Sequence, residues 1–169
     1  MLRALAISAA VWFTAIPALG QEQGDIPEPA QINPQGVETW YQQYIHADGW
    51  TLIAADSEAL ALGSPDGVAQ MEDGRLMATI RHEYYRPRAV GGQTVRSLQQ
   101  IRMFDCDRHL NRVVSMTVFE KSNLQGPAVT RENPGAEWTP PQPGSLYLAA
   151  MERVCSAPRQ APQPAPPHN

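Results

Sequence analysis

The chain has 169 residues, enough for one domain with a substantial buried core, and a formal net charge of −4 at neutral pH. Its single lysine is Lys121, and its arginines form no basic block. This charge balance argues against nucleic acid and anionic lipid as main partners.

The first segment has the order of regions found in a secretory signal peptide. Arg3 precedes an apolar run from Ala4 to Ile16, and small residues then lead to a polar sequence beginning at Gln21. The alternatives are a buried helix or a membrane anchor, but the run is short for a span, and no later stretch is apolar enough to cross a bilayer. We therefore predict a signal peptide over residues 1–20 and an exported protein, periplasmic or secreted. Since no cysteine lies near the cleavage site, no lipid anchor is expected.

The next segment changes from linker-like to helical composition. Residues 21–36 are rich in proline, glutamine and glycine, which predicts a flexible lead-in. Residues 37–48 predict a short amphipathic helix, because their apolar side chains recur at helical spacing. These side chains are Val37, Trp40, Tyr41, Tyr44 and Ile45.

From Trp50 the sequence consists of short alternating runs separated by turns, which is typical of β-strands. "SPDG" at 64–67 predicts a turn that ends one strand, and Asp73-Gly74 is the strongest hairpin signal. Three longer runs follow, at 75–85, 94–106 and 112–121. Because only short polar turns join them, we predict an antiparallel meander of about five to six strands.

The last ordered element is predicted to be a helix that packs on this sheet. Ser145 follows Pro143-Gly144 and is a good N-cap. The expected apolar face comprises Tyr147, Leu148, Met151, Val154 and Cys155. The fold class is therefore α+β: a small antiparallel sheet, a C-terminal helix and one disulfide. Residues 157–169 are proline-rich and predict a disordered, extended tail.

The two cysteines, Cys106 and Cys155, have three interpretations. A catalytic thiolate at Cys106 is disfavoured because the adjacent Asp105 and Asp107 raise a thiol pKa by charge repulsion. A zinc site needs about four ligands, and "CDRH" supplies Cys106 and His109 without a second pair at motif spacing. An even cysteine count in an exported chain favours a Cys106–Cys155 disulfide. No metal or cofactor is expected.

One stretch, "RHEYYRPR", mixes aromatic and arginine side chains. Its functional interpretation is a ligand surface formed by Arg81, Tyr85, Arg86 and Arg88, for example for a sugar or an anionic polymer. The alternative, which we favour, is the end of a strand with Tyr84 buried. His82 is interpreted as a core or edge residue and not as a catalyst.

The C-terminal half resembles the surface-adhesin protein E family of bacterial envelope proteins. The resemblance is carried by "SLQQIRMFDCDRHLNRVVSMTVFEKSNLQG" and "AEWTPPQPGSLYLAAMERVC", with Asp105-Cys106, Trp138 and Val154-Cys155 at the family's positions. "GWTLIAADSEALAL" resembles the family's first hairpin. Residues 49–156 are therefore assigned to one domain of this type.

The resemblance implies a binding protein and not an enzyme. The adhesins that name the family are surface lipoproteins that bind host matrix and serum proteins, whereas this chain lacks a lipidation cysteine. Their binding surface has no short motif to match here, so no binding residues are carried over. We expect a non-enzymatic module that binds a protein partner in the envelope or extracellular matrix, and homodimerisation is a further expectation. The alternatives are a periplasmic structural or accessory protein and, less favoured, an enzyme that uses Cys106 or His82.

Overall fold

The computed structural model describes residues 26–133 and 135–157, without the side chains of Pro65 and Asp66. The predicted signal peptide, residues 21–25 of the predicted lead-in and the predicted tail from residue 158 lie outside these ranges. Within them, no helix is long and apolar enough to cross a membrane.

The described chain forms six strands and two helices. The elements are α1 (Pro34–Tyr44), β1 (Thr51–Ala55), β2 (Ala59–Gln70), β3 (Leu76–Val90), β4 (Gln93–Asp105), β5 (Leu110–Lys121), β6 (Gln125–Glu132) and α2 (Leu146–Ser156). All six strands belong to one sheet in the order β1 to β6, and each pairs antiparallel with the next. The predicted α+β class and the antiparallel meander are confirmed.

Helix α1 begins earlier than the sequence pattern predicts. Asn33 caps it, since its side chain accepts a hydrogen bond of 2.8 Å from the Gly36 N–H, and Pro34 occupies the first turn. Ile26 is only 8% exposed and packs in the same apolar cluster as Trp40. Residues 26–36 are therefore ordered in the structure, whereas their composition predicted a flexible lead-in. The burial of Ile26 and the helix cap at Asn33-Pro34 hold this segment in place.

Helix α2 packs on the sheet as predicted, but with a rotated face. Ser145 is the N-cap, and its hydroxyl accepts a hydrogen bond of 3.2 Å from the Leu148 N–H. The buried residues are Leu146, Ala150, Met151 and Val154. Tyr147 and Leu148 of the expected face are only half-buried. Ala150 is fully buried in the cluster between α2 and the sheet.

Both faces of the central strands are covered. Along β3, Ile80 packs in the buried cluster that includes residues of α2. Tyr85 packs in the other buried cluster, which includes residues of α1. A strand between two helices buries both sets of alternating side chains. The sequence interpretation placed Tyr84 in the core and His82 in the core or at an edge, whereas the structure buries all of residues 80–85.

Three further features of the strands differ from what the sequence pattern indicates. "SPDG" lies inside β2 as an irregularity between Gly63 and Val68, and not at a strand end. β3 continues through Pro87 to Val90. β6 was not predicted as a strand, because its glycine, proline and charged residues have low β-propensity. The Asp73-Gly74 hairpin is present between β2 and β3.

Candidate functional site

The four residues of the predicted ligand surface separate into two pairs. Arg81 is 2% exposed and Tyr85 is 1% exposed, so neither can contact a ligand in this conformation. Arg86 and Arg88 are exposed on the outer part of β3, where they form ion pairs with Glu28 and Glu58 respectively. The structure therefore does not bring the four side chains together on one surface.

Arg81 instead forms the centre of a buried polar network. Its Nε donates to Glu83 Oε1 at 2.7 Å, and Nη2 donates to Asn123 Oδ1 at 2.9 Å. Nη1 donates to the His46 carbonyl oxygen at 2.8 Å, in the segment that follows α1. The network joins β3, the β5–β6 turn and the end of α1, so the arginine has a structural role.

Glu83 and Asn123 complete this network. Both carboxylate oxygens of Glu83 accept from the Asn123 N–H, at 3.0 and 3.1 Å, and Asn123 Nδ2 donates to the Tyr44 carbonyl oxygen at 3.0 Å. Burial raises the pKa of Glu83 to about 7, although Arg81 and the Asn123 N–H act in the opposite direction. Asn123 has a φ of 62°, a left-handed conformation that asparagine tolerates better than most residues.

Tyr85 attaches α1 to the sheet from the same side. Its ring meets Trp40 edge-on, with centroids 5.3 Å apart and an interplanar angle of 84°. Trp40 Nε1 donates to the Pro27 carbonyl oxygen at 2.6 Å, which also fixes the segment before the helix. Burial raises the pKa of Tyr85 to about 12, so the phenol stays neutral at physiological pH. The aromatic part of "RHEYYRPR" is therefore core.

The predicted Cys106–Cys155 disulfide is present. The two Cα atoms lie 5.7 Å apart, and the bridge joins the end of β4 to the last turn of α2. Both cysteines pack against the cluster beneath α2. Because Cys106 is oxidised, it offers no thiolate for nucleophilic catalysis.

His82 lies in a second buried polar cluster, beneath α2. Its ring centroid is 5.2 Å from that of Tyr147, whose face also carries the Arg102 guanidinium at 4.2 Å. Arg102 donates to Gln100 Oε1 at 2.7 Å and to Asn111 Oδ1. Burial, and then the Arg102 charge, lower the pKa of His82 to about 4. His82 is therefore neutral near pH 7 and poorly matched to general acid–base catalysis there.

The described residues also contain no cluster of three or more His, Cys, Asp or Glu side chains placed to hold a metal ion.

Trp138 is a contact residue that the sequence identified only through the family resemblance. The Arg75 and Arg112 guanidinium carbons lie 5.2 and 5.0 Å from its ring centroid. The next residue, Thr139, bridges to Asn111, whose N–H donates to the Thr139 carbonyl oxygen at 2.9 Å. These contacts fasten the segment after β6 to the start of β5. Apart from the family resemblance, the sequence marks this residue only as a single tryptophan in a polar loop.

The two edges of the sheet differ in how much of each strand is exposed. β1 has five residues, and its three middle residues are half-buried. β6 has eight residues, and every one of them is exposed. It includes Val129, one of two large apolar residues that are exposed in the described part of the chain. β6 is therefore the more accessible edge.

The register of β6 shows which of its backbone N–H and C=O groups face β5 and which face away. The Asn133 N–H donates to the Val114 carbonyl oxygen at 2.8 Å, and the same register pairs Arg131 with Met116. Hydrogen-bonded pairs alternate in an antiparallel ladder. The backbone groups of Ala128, Thr130 and Glu132 therefore point away from β5, toward the open side of the sheet.

One family model matches this chain, and solved structures resemble its fold. The model of the family described as "Surface-adhesin protein E" matches residues 50–156. No curated protein matches the chain. Two structures of Haemophilus influenzae protein E are similar to it. One, crystal form II, has 11% identity and a TM-score of 0.51, covering 64% of this chain and 87% of its own. The other has 11% identity and a TM-score of 0.49, covering 64% of this chain and 84% of its own.

At 11% identity, the crystal form II likeness shows the fold alone. The family match covers more than half of the chain and includes both cysteines, Trp138 and all six strands. The resemblance found in the sequence is thereby confirmed. This chain belongs to the surface-adhesin protein E family.

Proposed function

We propose that the protein is an exported, non-enzymatic binding module that engages a protein partner along the free edge of β6. The observation that carries this proposal is the exposure of all eight β6 residues at the end of a sheet whose other described strands are largely covered. Membership of an adhesin family supports a binding role. The buried state of Arg81, Tyr85 and His82 supports it indirectly, because these candidate site residues serve the core.

An extended segment of a partner can add to β6 as a seventh strand. Ala128, Thr130 and Glu132 offer three outward-pointing sets of N–H and C=O groups for such a pairing. Pro127 and the bulge between Phe119 and Lys121 interrupt the regular edge at its other end. Natural proteins use prolines and bulges in this way to limit indiscriminate strand pairing. The accessible part of the edge is therefore short, which favours a specific partner over open-ended aggregation.

The test is a proline substitution with a matched control. Thr130→Pro removes an outward N–H but no ladder bond to β5, because the neighbouring Val129 and Arg131 make the inward pairs. Thr130→Ala is the control, since it removes the hydroxyl contact with Thr117 and keeps the N–H. We expect Thr130→Pro to reduce binding to envelope extracts and extracellular-matrix preparations at least tenfold in a surface-capture assay, with Thr130→Ala binding as wild type.

Equal capture by both variants, at unchanged melting temperature, would reject the edge as the binding site. Sedimentation equilibrium on the same variants separates a partner from a second copy of this chain. Self-association that Thr130→Pro abolishes would mean that β6 pairs with β6 of another copy.

Location is tested separately. We expect antibody and protease to reach the protein on intact cells or in the medium. Access only after permeabilisation would support the alternative of a periplasmic accessory protein.

A further inference from the structure

A cavity of about 380 Å³ lies between the C-terminal end of α2 and the first three strands. It is on the sheet face opposite α1, and far along the sheet from β6. Its origin is the irregularity in β2, where the residues between Gly63 and Val68 leave the regular pairing with β3. The "SPDG" sequence lies in this irregular stretch, and its Ser64 and Gly67 line the cavity.

The inner surface of this cavity is mostly apolar. Its apolar side chains are Ile53, Val68, Ala78, Ile80, Val154 and Ala157. Ile80 and Val154 belong to the buried cluster beneath α2, so the cavity opens directly onto the core. Its volume falls in the range of small-molecule sites, which are mostly apolar with a few polar groups that orient the ligand.

The mouth of the cavity carries one positive charge. Arg153 is exposed in the last turn of α2, and it is the only charged residue among the cavity-lining residues whose side chains the structure describes. Three hydroxyl-bearing residues, Thr51, Ser64 and Ser156, also line it. The arginine forms no ion pair with another described residue. An apolar interior with a guanidinium at its mouth is complementary to a ligand with an apolar chain and an anionic head.

We propose that this cavity binds a fatty carboxylate, with its alkyl chain against Ile53, Val68 and Ile80 and its carboxylate at Arg153. The alkyl chain would remove the apolar lining from water, and this supplies most of the affinity. The positive charge of the Arg153 guanidinium favours a ligand with an anionic head group over one with a cationic head group. This site is independent of β6, so either proposal can fail without the other.

The first experiment titrates purified protein with decanoate by calorimetry, below the micelle concentration, and uses decyltrimethylammonium as a ligand of equal chain length and opposite charge. We expect one decanoate per chain and at least tenfold weaker binding of the cation. Methyl resonances of Ile53, Val68 and Ile80 should shift, with Val37 in α1 as the unperturbed control. Equal binding of both amphiphiles, binding of many per chain or absence of decanoate binding would overturn the proposal.

Variants then test the two parts of the site. Arg153→Glu should weaken decanoate binding at least tenfold, whereas Arg86→Glu, an identical charge change at an exposed site on β3, should not. Ala78→Leu should block the cavity and remove binding, with melting temperature as the check on folding. Because Arg153 is exposed, its variant stays informative even if Ala78→Leu fails to fold. Unchanged affinity in Arg153→Glu would contradict the assigned carboxylate position.

Discussion

The two helices lie on opposite faces of one sheet, and they are attached by different chemistry. α2 is held by apolar packing of Leu146, Met151 and Val154 and by a covalent bridge from Cys155 to β4. α1 is held by the Trp40–Tyr85 contact and by the Arg81 network at its end. One attachment is therefore sensitive to redox state, and the other to the integrity of buried charges. The following predictions, from largest to smallest effect, test this difference.

The largest effect is expected from removal of one partner of the Arg81–Glu83 ion pair. Both side chains are almost fully buried, so Arg81→Ala leaves the Glu83 carboxyl group in the core without its ion-pair partner and its hydrogen-bond donor. Such losses cost about 3–5 kcal/mol, whereas replacement of both partners by apolar residues is often tolerated. Urea unfolding should show this loss for Arg81→Ala and a smaller one for Arg81→Met with Glu83→Leu. An equal loss in the double variant would show that the pair has stabilising interactions beyond mutual charge compensation.

The next effect concerns the disulfide. Cys106 and Cys155 are separated by 49 residues in the chain. Their replacement by serine should lower the free energy of unfolding by roughly 2–4 kcal/mol, because the unfolded chain regains the freedom of a closed loop. Hydrogen exchange should accelerate in α2 and not in α1. Equal acceleration in both helices would show that the bridge stabilises the whole domain and not one attachment.

The pH dependence should differ in sign between the two faces. His82 has a folded pKa of about 4, below its ordinary value of 6.5, so its contribution is present above pH 6.5 and is lost as pH falls toward 4. Glu83 has a folded pKa of about 7, above its ordinary value of 4.5, so its contribution is present below pH 4.5 and is lost as pH rises through 7.

Melting temperatures across pH 4–8 test these two signs. His82→Gln should flatten the acid side of the profile, and Glu83→Gln should flatten the neutral-to-alkaline side. Each limb corresponds to roughly 3.5 kcal/mol at most, since each pKa lies about 2.5 from its ordinary value and one pKa unit is about 1.4 kcal/mol. If the loss of stability at acid pH is unchanged in His82→Gln, groups other than His82 cause it.

The smallest effects are expected at the helix caps. Asn33→Ala and Ser145→Ala each remove the side-chain acceptor of one N-cap, at a cost of about 1 kcal/mol. The first should expose the segment before α1 to protease, and the second should loosen the start of α2 while the disulfide holds its end. Comparable proteolysis of α1 in both variants would contradict separate attachment.

Much of the fold was readable because its signals are local. The Asp73-Gly74 hairpin, the Ser145 cap and the alternation along β3 and β5 depend on neighbouring residues. The disulfide was also predictable, because a chain that is predicted to be exported and has two cysteines allows only one intramolecular pairing. The free edge of the sheet was not predictable from the sequence. The eight residues of β6 are exposed and have weak strand preference, and β6 is ordered by its pairing with β5.

By itself, the sequence determined the antiparallel meander, the position of α2 and the pairing of Cys106 with Cys155. Only the tertiary structure decided which polar residues are buried, because α1 covers the face that carries Arg81, Glu83 and Tyr85. Alternation reports that a strand has two faces, but a second helix from a distant, linker-like segment determines whether both are covered. The same limit applies to the cavity beside α2, which exists only where the β2 irregularity meets Arg153 and Val154.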